Sequence, residues 1–495
     1  MSPTTGALGP YRAKRDFTHT SEPAGSHRAP STSAGRFVIQ EHHARRLHWD
    51  LRLERDGVLV SWAVPKGVPP DPRENHLAVH TEDHPLEYLE FEGDIPSGQY
   101  GAGTMRIWDR GTYEAEKFRD DEVIVTLAGE QVRGRYALFQ TKGDNWMIHR
   151  MDPPEDPDRE PMPDHIAPML ATLTKRLPPD GSASCYEVKW DGVRALAYVE
   201  GGRARFESRR GGDITGRYPE LRELGEALGA TPVVLDGEIV AFDDERPSFE
   251  RLQRRMHVTS EGAVHRLVRE IPVVYLVFDL LWMDGHATMP LPYEERRRLL
   301  DGLELGGPAW QTPPWYEDGD ALLEATRASG LEGVVAKRRD RTYTPGARSR
   351  SWLKVKNHLA QEFVVGGWLP GQGARATTLG ALLVGYYGDE TPKKPPTQNP
   401  TQKREERRLR YAGRVGTGFP DAELARLTGL LEPLRRDTSA FDHPPRVRDA
   451  VFVEPQLVVR VRFTEWTRAG MIRHPAYQGL RDDLDPTEVV REQPG

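Results

Sequence analysis

Between residues 36 and 150 apolar and polar positions alternate in short runs, the period of half-buried strands. The runs are LHWDLRLERDGVLVSWAV, GTMRIWDRGTYEAEKF, DEVIVTLAG and GRYALFQTKGDNWMIHRM, and the Asp56-Gly57 and Arg110-Gly111 pairs read as hairpin punctuation between them. A small, largely antiparallel β-barrel is predicted here. The central region mixes apolar strand runs such as VVYLVFDLLW (273–282) with helical patterns such as YEERRRLLDGL, which predicts an α+β domain. The last region carries EFVVGGWL, GALLVGYY and PQLVVRVRF, the strands of a second small barrel.

Three breaks punctuate this pattern. Residues 1 to about 35 are rich in Pro, Ser, Thr, Gly and His and predict a mostly extended arm. MDPPEDPDREPMPDH (151–165) is too rich in proline for helix or sheet. The polar, proline-rich stretch 388–410 predicts a long loop. The expected organisation is a multidomain chain: 1–155 with its arm, a linker at 156–165, 166–358, and 359–495.

Composition narrows the class. At 495 residues, two to four domains are expected. No apolar run approaches the length of a membrane span, and the first residues lack a secretory apolar core, so a cytoplasmic protein is expected. The single cysteine, Cys185, rules out an intrachain disulfide and a four-thiolate zinc site. A net charge of -7 argues weakly against nucleic-acid binding by the whole surface, but leaves room for a cationic cleft.

The first chemical motif is EVKWDGVR, residues 187–194. Strand alternation places Glu187, Lys189 and Asp191 on one face, and Asp191-Gly192 is expected to turn the chain into a second strand, RALAYV. A deprotonated lysine facing a pocket can attack phosphorus. Taken alone, the motif fits an exposed hairpin lysine equally well. It is followed in order by SRRGGDIT (208–215), VLDGEIVAFD (234–243), VYLVFDLLWMDG (274–285), LEGVVAKRRD (331–340) and SWLKVKN (351–357).

With that ordered set the chain resembles the covalent nucleotidyltransferase superfamily, and specifically the ligase portion of bacterial DNA ligase D, over residues 165–490. The resemblance implies that Lys189 forms a phosphoramide with AMP from ATP. Glu238 and Glu332 are carboxylates suited to Mg2+ or Mn2+. Lys354 and Lys356, two apart on a strand, would share one face and stabilise charge on the α-phosphate. Phe278 would stack on adenine and Glu187 would accept its amino group. Arg194 and Arg209 would hold ribose or the phosphate of the DNA end. YAGRVGTGF (411–419) and RFTEWTRAGMIRHPAYQGLRDDL (462–484) resemble the C-terminal OB-fold β-barrel of such ligases. The family's last motif commonly ends Arg-x-Asp-Lys; here Arg481, Asp482 and Asp483 precede Leu484, so slowed self-adenylation is expected. Position 210 is also Arg where a ligase more often has Asn. NAD as AMP donor is not expected, because one cysteine cannot build the zinc module of NAD-dependent ligases.

QEHHARRLHWDLRLE (40–54) carries a second signal. Leu47, Trp49, Leu51 and Leu53 alternate with His48, Asp50, Arg52 and Glu54, so one strand face is apolar and the other presents imidazole, carboxylate and guanidinium in a row. His42 can complete a two-His, one-carboxylate metal set; a polar barrel face without metal fits the strand alone as well. SWAVPKG (61–67), EDHPLEY (82–88) and EGDIPSGQYGAGTMRIWDRG (92–111) then resemble the 3'-phosphoesterase domain of DNA ligase D. The resemblance implies Mn2+ at His42, His48 and Asp50, with His84 stabilising the transition state. Arg52, Lys66 and Tyr88 would contact phosphate or support the site. Arg15, Asp16 and Glu22 match the family pattern in the arm, with Arg15 on phosphate and the arm closing over the site. His76 stands where some relatives have Arg; His43 and His80 read as surface residues.

The expected activity is repair of nicked or broken DNA ends, which a nucleoid-associated cytoplasmic enzyme would first heal and then seal. No residues are left for a primase-like polymerase, so a separate polymerase chain and recruitment by the DNA-end protein Ku are expected. The competing readings are an RNA ligase or capping-type guanylyltransferase, a catalytically dead DNA-end scaffold, and a first domain that binds ends without catalysis.

Overall fold

The computed structural model describes residues 7–25, 35–154, 156–178, 183–244, 246–256, 258–357, 359–371, 378–388, 408–467 and 469–492. Most of the loop expected at 388–410 lies outside them.

In the first domain β1 (Gly35–His43), β2 (Leu47–Arg55), β3 (Val58–Val64), β4 (Asn75–His80), β5 (Gly93–Ile95), β6 (Gly103–Phe118), β7 (Glu122–Gly129), β8 (Arg133–Lys142) and β9 (Asn145–Arg150) form one antiparallel sheet. Its order is β1-β2-β3-β4-β9-β8-β7-β6-β5, and pairing of β1 with β6 closes eight strands into the predicted barrel. Ile39, Leu51, Leu138 and Ile148 fill it and are wholly buried. Asp56 and Gly57 join β2 to β3 with φ of 50° and 85°, the mirror-image turn that matches strand twist. Arg110-Gly111 is not a turn. Both residues lie inside β6, where a Cβ on Gly111 would come 2.1 Å from the Ala128 carbonyl oxygen, so this glycine permits close strand approach.

Two expectations about this domain are corrected. The arm is not extended throughout: Gly9–Ala13 forms a helical turn whose Tyr11 is wholly buried against Leu86, Tyr88 and Met105 on the barrel's outer side. The polar face of β2 is not a surface either, since Asp50, Arg52 and Glu54 are buried along with the apolar face. Apolar burial of Tyr11 and its neighbours draws the arm and the turn Leu86–Glu90 over this face.

The central domain has two sheets. One is antiparallel and built on Arg203–Ser208, Val193–Glu200, Val233–Asp243 and Val273–Met283 in that order. The other orders Leu170–Leu173, Arg348–Lys356, Gly333–Arg338 and Ser184–Lys189. Helices Phe249–Met256, Glu261–Glu270 and Tyr293–Gly302 contribute to a core around Phe206, Leu235, Ile239 and Val277. EVKWDGVR is therefore not a hairpin. Ser184–Lys189 and Val193–Glu200 belong to different sheets, and Trp190-Asp191-Gly192 carries the chain between them. A Cβ on Gly192 would sit 2.2 Å from the Ile239 carbonyl oxygen, so only glycine passes there.

The last region is OB-fold-like. The long strand Leu359–Pro370 pairs with Leu379–Gly388, Val451–Val453 and Val458–Phe463 along its length, and Asp421–Leu431 supplies a helix. Phe363, Val384, Leu427 and Val459 form its core. Residues 151–165 contain no helix or strand among those described. They dock on the central domain through Arg159–Asp284 at 3.0 Å and Glu160 N–H to the Gly285 carbonyl at 2.7 Å. No helix among the described residues is long and apolar enough to cross a membrane.

Candidate active sites

The first candidate site lies on the outer face of the barrel. His42 on β1 and His48 on β2 are register partners, and Gln40 faces Asp50 one step along the same face. His42 Nδ1 is 3.2 Å from His48 Nε2, and each imidazole lies 3.6 Å from an Asp50 oxygen. The remaining ring nitrogens are used by carbonyls: His42 Nε2–H donates to Gly101 (2.9 Å) and His48 Nδ1–H to Arg46 (2.9 Å). Those carbonyls set the tautomers, so two imidazole lone pairs and a carboxylate face each other. Three acceptors in such contact need a cation between them, and the donor set suits Mn2+, Zn2+ or a similar ion.

The rest of this site is organised by hydrogen bonds. Arg52 donates to Asp50 at 2.8 Å and to Gln40 at 2.8 Å, while Gln40 donates to the Tyr88 and Phe91 carbonyls. Burial pushes the Asp50 carboxyl up, but the Arg52 guanidinium bonded to it outweighs that and holds it well below the carboxylate range. His84 Nδ1–H donates to the Glu82 carbonyl, leaving Nε2 3.3 Å from Arg15. Burial, then Arg52 and Arg15, press His84 toward the neutral form. Arg15 itself is clamped by Glu22 at 2.6 Å and Glu82 at 2.8 Å, and the Tyr88 hydroxyl donates to Glu22.

Of the residues predicted for this site, Arg15, His42, His48, Asp50, Arg52, His84 and Tyr88 converge. Lys66 does not: its ammonium pairs with Glu200 of the central domain, because the β3–β4 connection points toward that domain. Asp16 is exposed and caps the Thr18 turn, and His76 is spent on the Gly67 carbonyl. Glu82 was missed; nothing in its sequence surroundings separates it from a surface carboxylate.

The second candidate site is the cleft between the two central sheets and the OB-like barrel, lined by Lys189, Glu238, Phe278, Glu332, Lys354 and Arg460, among others. Lys189 ends its strand and donates to Glu332 at 2.5 Å. Burial raises the Glu332 carboxyl, yet Arg460, Lys189 and Lys356 together hold it well below its ordinary value. At Glu238 burial outweighs the nearby Lys189, Arg194 and Arg481 and pushes the carboxyl up to about 7. Arg194 makes two 2.6 Å bonds to wholly buried Asp236 and lies 4.8 Å from the Phe278 ring. Arg209 lines the same cleft, its guanidinium pushed down by burial. Glu187 is buried against Lys337 (2.9 Å) and the Tyr293 hydroxyl. Lys337 also lies 4.6 Å from the Phe278 ring, so an aromatic face, a carboxylate and donors meet at one end of the cleft.

Lys354 and Lys356 do point the same way, and Glu492 bonds both. Arg460 was missed by sequence reasoning. It comes from Val458–Phe463 and reaches Glu332 at 2.7 Å and Asp191 at 3.1 Å. An Arg-x-Arg strand pattern gave only the hint of a basic face. Leu484 lines the cleft where the family motif would supply lysine, and its carbonyl accepts from Arg210 at 3.0 Å. Cys185 is buried and its thiol pushed up by burial, which suits a packed side chain.

A strand-borne lysine beside a buried carboxylate, a lysine pair and an aromatic-lined recess defines a covalent nucleotidyltransferase of the ligase class. Comparison with known proteins agrees. Residues 168–356 match the "ATP dependent DNA ligase domain", 375–484 the "ATP dependent DNA ligase C terminal region", and 40–140 the "DNA Ligase D 3'-phosphoesterase domain". "Multifunctional non-homologous end joining protein LigD" of Mycolicibacterium smegmatis is 45% identical over 506 residues, 99% of this chain and 62% of that protein. The protein of that name from Pseudomonas aeruginosa is 37% identical over 551 residues, with the same shares. A structure described as "mycobacterial DNA ligase D complexed with ATP and MES" is 40% identical, covering 66% of this chain and 99% of that one, with a TM-score of 0.48. The chain is DNA ligase D-like: a segment matching the 3'-phosphoesterase domain of those proteins precedes an ATP-dependent DNA ligase domain. It spans about 62% of the length of the curated relatives it matches. A ligase domain of this kind implies ATP, a divalent metal and DNA as its reactants.

Proposed function

We propose that the chain heals 3' ends with its first domain and seals DNA breaks with the other two, as an end-joining repair ligase. The carrying observation is the convergence of Lys189, Glu238, Glu332, Lys354 and Lys356 in one cleft. Neutral Lys189 Nζ attacks the α-phosphorus of ATP, forming an N–P bond as the bond to pyrophosphate breaks. AMP then passes to a DNA 5'-phosphate, and attack by the neighbouring 3'-hydroxyl seals the strand and releases AMP. Glu332 directs the amine, and Lys354 and Lys356 balance charge on the α-phosphate. Phe278 stacks on adenine and Glu187 accepts its amino group, while Arg194 and Arg209 hold ribose or the DNA-end phosphate. Glu238 and Glu332 would hold Mg2+ or Mn2+, which would neutralise phosphate charge.

In the first domain His42, His48 and Asp50 would hold Mn2+, which would polarise the phosphate of a 3'-blocked end. Arg15 and Arg52 would bind that phosphate, Tyr88 braces Arg15 through Glu22, and His84 helps stabilise the transition state by accepting from Arg15 at Nε2 and orienting that guanidinium. Recruitment by the end-binding protein Ku belongs to the same reading and rests on the family resemblance.

The test is incubation with α-labelled ATP and a divalent metal, then addition of nicked duplex DNA carrying a 3'-phosphate. Label should move from protein to DNA-adenylate, and sealing should require removal of the 3'-phosphate. Sealing of RNA but not DNA would favour the RNA-ligase reading; metal binding without 3'-end processing would leave the first domain a binding module.

A further inference from the structure

The phosphate-binding end of the ligase cleft is filled by the chain itself. Past the last strand of the OB-like barrel, Ala476–Leu480, and a short turn at Pro486–Glu488, the chain runs back into the cleft. Glu492 places one carboxylate oxygen 2.5 Å from Lys354 Nζ and the other 3.0 Å from Lys356 Nζ. All three side chains are at most 16% exposed. Few bonds hold the segment: the Val489 carbonyl accepts from Tyr387 N–H, Gln361 bonds both the Val490 carbonyl and the Glu492 N–H, and Arg491 lies 4.4 Å from the Trp466 ring. Val489 is buried in the barrel core and Val490 makes an isolated bridge to Tyr387, but neither belongs to a strand, and a stretch held by so few main-chain bonds opens more easily than the strands beside it.

Two ammonium groups on one strand face, buried side by side, need an anion. Burial and then the neighbouring Lys356 already push Lys354 down to about 8. Glu492 supplies that anion, with two oxygens spaced across two lysines as phosphate oxygens would be. The same barrel brings a cation to the opposite end of the charge pattern, where Arg460 bonds Asp191 and Glu332.

We propose that Glu492 is a tethered phosphate mimic, and that the segment Val489–Glu492 is an autoinhibitory strap which ATP must displace to reach Lys189. This rests on the ligase reading above. Glu492 carries one negative charge and a nucleotide triphosphate several, so ATP wins the lysines once present. Until then the strap lowers apparent affinity by the fraction of molecules in which it is closed.

The full chain tests this. Lysyl-AMP formation is titrated with ATP in the native protein and in Glu492→Gln, and amide hydrogen exchange of residues 489–492 is followed in the native protein with and without ATP or inorganic tripolyphosphate. Glu492→Gln should lower KM for ATP by about three- to tenfold with kcat near native, and either polyphosphate should deprotect the strap. A raised KM, or a lost kcat at unchanged KM, would make Glu492 a positioning residue and overturn the proposal. Unchanged exchange at saturating tripolyphosphate would overturn it too, whether or not the variant folds. If tripolyphosphate frees the strap but ATP yields no lysyl-AMP, the strap stands and the ligase reading falls.

Discussion

Lys189 Nζ and the Glu332 carboxylate are 2.5 Å apart, and the sheet itself makes them neighbours, because Lys189 pairs in register with Gly333, the residue after Glu332. The amine is thereby aimed before any nucleotide arrives. Lys189→Ala should abolish protein labelling by α-labelled ATP. Glu332→Gln should retain some labelling at a rate lowered by roughly 100-fold or more, the usual cost of misdirecting a reacting group. Single-turnover labelling distinguishes the two, and native-like labelling of Lys189→Ala would overturn the nucleophile assignment.

Leu484 gives a prediction with opposed consequences. It lines the nucleotide cleft and also packs in the barrel core. Leu484→Lys should speed AMP transfer from ATP, by placing a cation near the departing pyrophosphate, and leave sealing of pre-adenylated DNA little changed. It should also lower Tm, since an ammonium replaces a buried apolar side chain. A first step no faster than native would remove the proposed role of the missing lysine.

For the phosphoesterase site the three-acceptor contact separates metal loss from catalytic loss. Asp50→Ala should strip bound Mn2+, as measured by metal analysis after gel filtration, and abolish 3'-phosphate release. His84→Ala should keep the metal and slow release by roughly 100-fold or more, the cost of leaving Arg15 misplaced at the phosphate. Lys189→Ala should leave both untouched. Normal 3'-end processing by Asp50→Ala would show the site to be elsewhere.

Lys354 sets a pH dependence. Its folded-state value of about 8 lies below the ordinary lysine value of 10.5, so burial costs stability in full below pH 8 and the cost is relieved as pH rises from 8 toward 10.5. Function should run the other way. KM for ATP should rise above about pH 8 as the ammonium is lost, and Lys354→Arg should flatten that rise because a guanidinium stays charged. A flat native profile through pH 9.5 would contradict this.

Asp279 and Arg296 form a wholly buried pair with bonds of 2.7 and 2.8 Å. Asp279→Ala leaves the guanidinium unpaired and should cost about 3–5 kcal/mol in denaturant unfolding. A loss under 1 kcal/mol would mean that water or backbone replaces the carboxylate.

Sequence alone was enough for the barrel strands, the DNA ligase D resemblance and the cleft lysines, because alternation and ordered short motifs are local properties of a strand. Lys354 and Lys356 share a face for the simple reason that strand side chains alternate. What local pattern could not decide was whatever depends on distant closure. Asp191-Gly192 looks like a hairpin turn, yet packing against Ile239 sends the next strand into another sheet. Lys66 belongs to a promising motif, yet domain docking turns it to Glu200. Arg460 and Glu492 lie 271 and 303 residues beyond Lys189, and only the folded barrel brings their charges to the cleft. Side-chain period is set by neighbouring backbone geometry, whereas charge complementarity across a cleft is set by the burial of surfaces far apart in the chain.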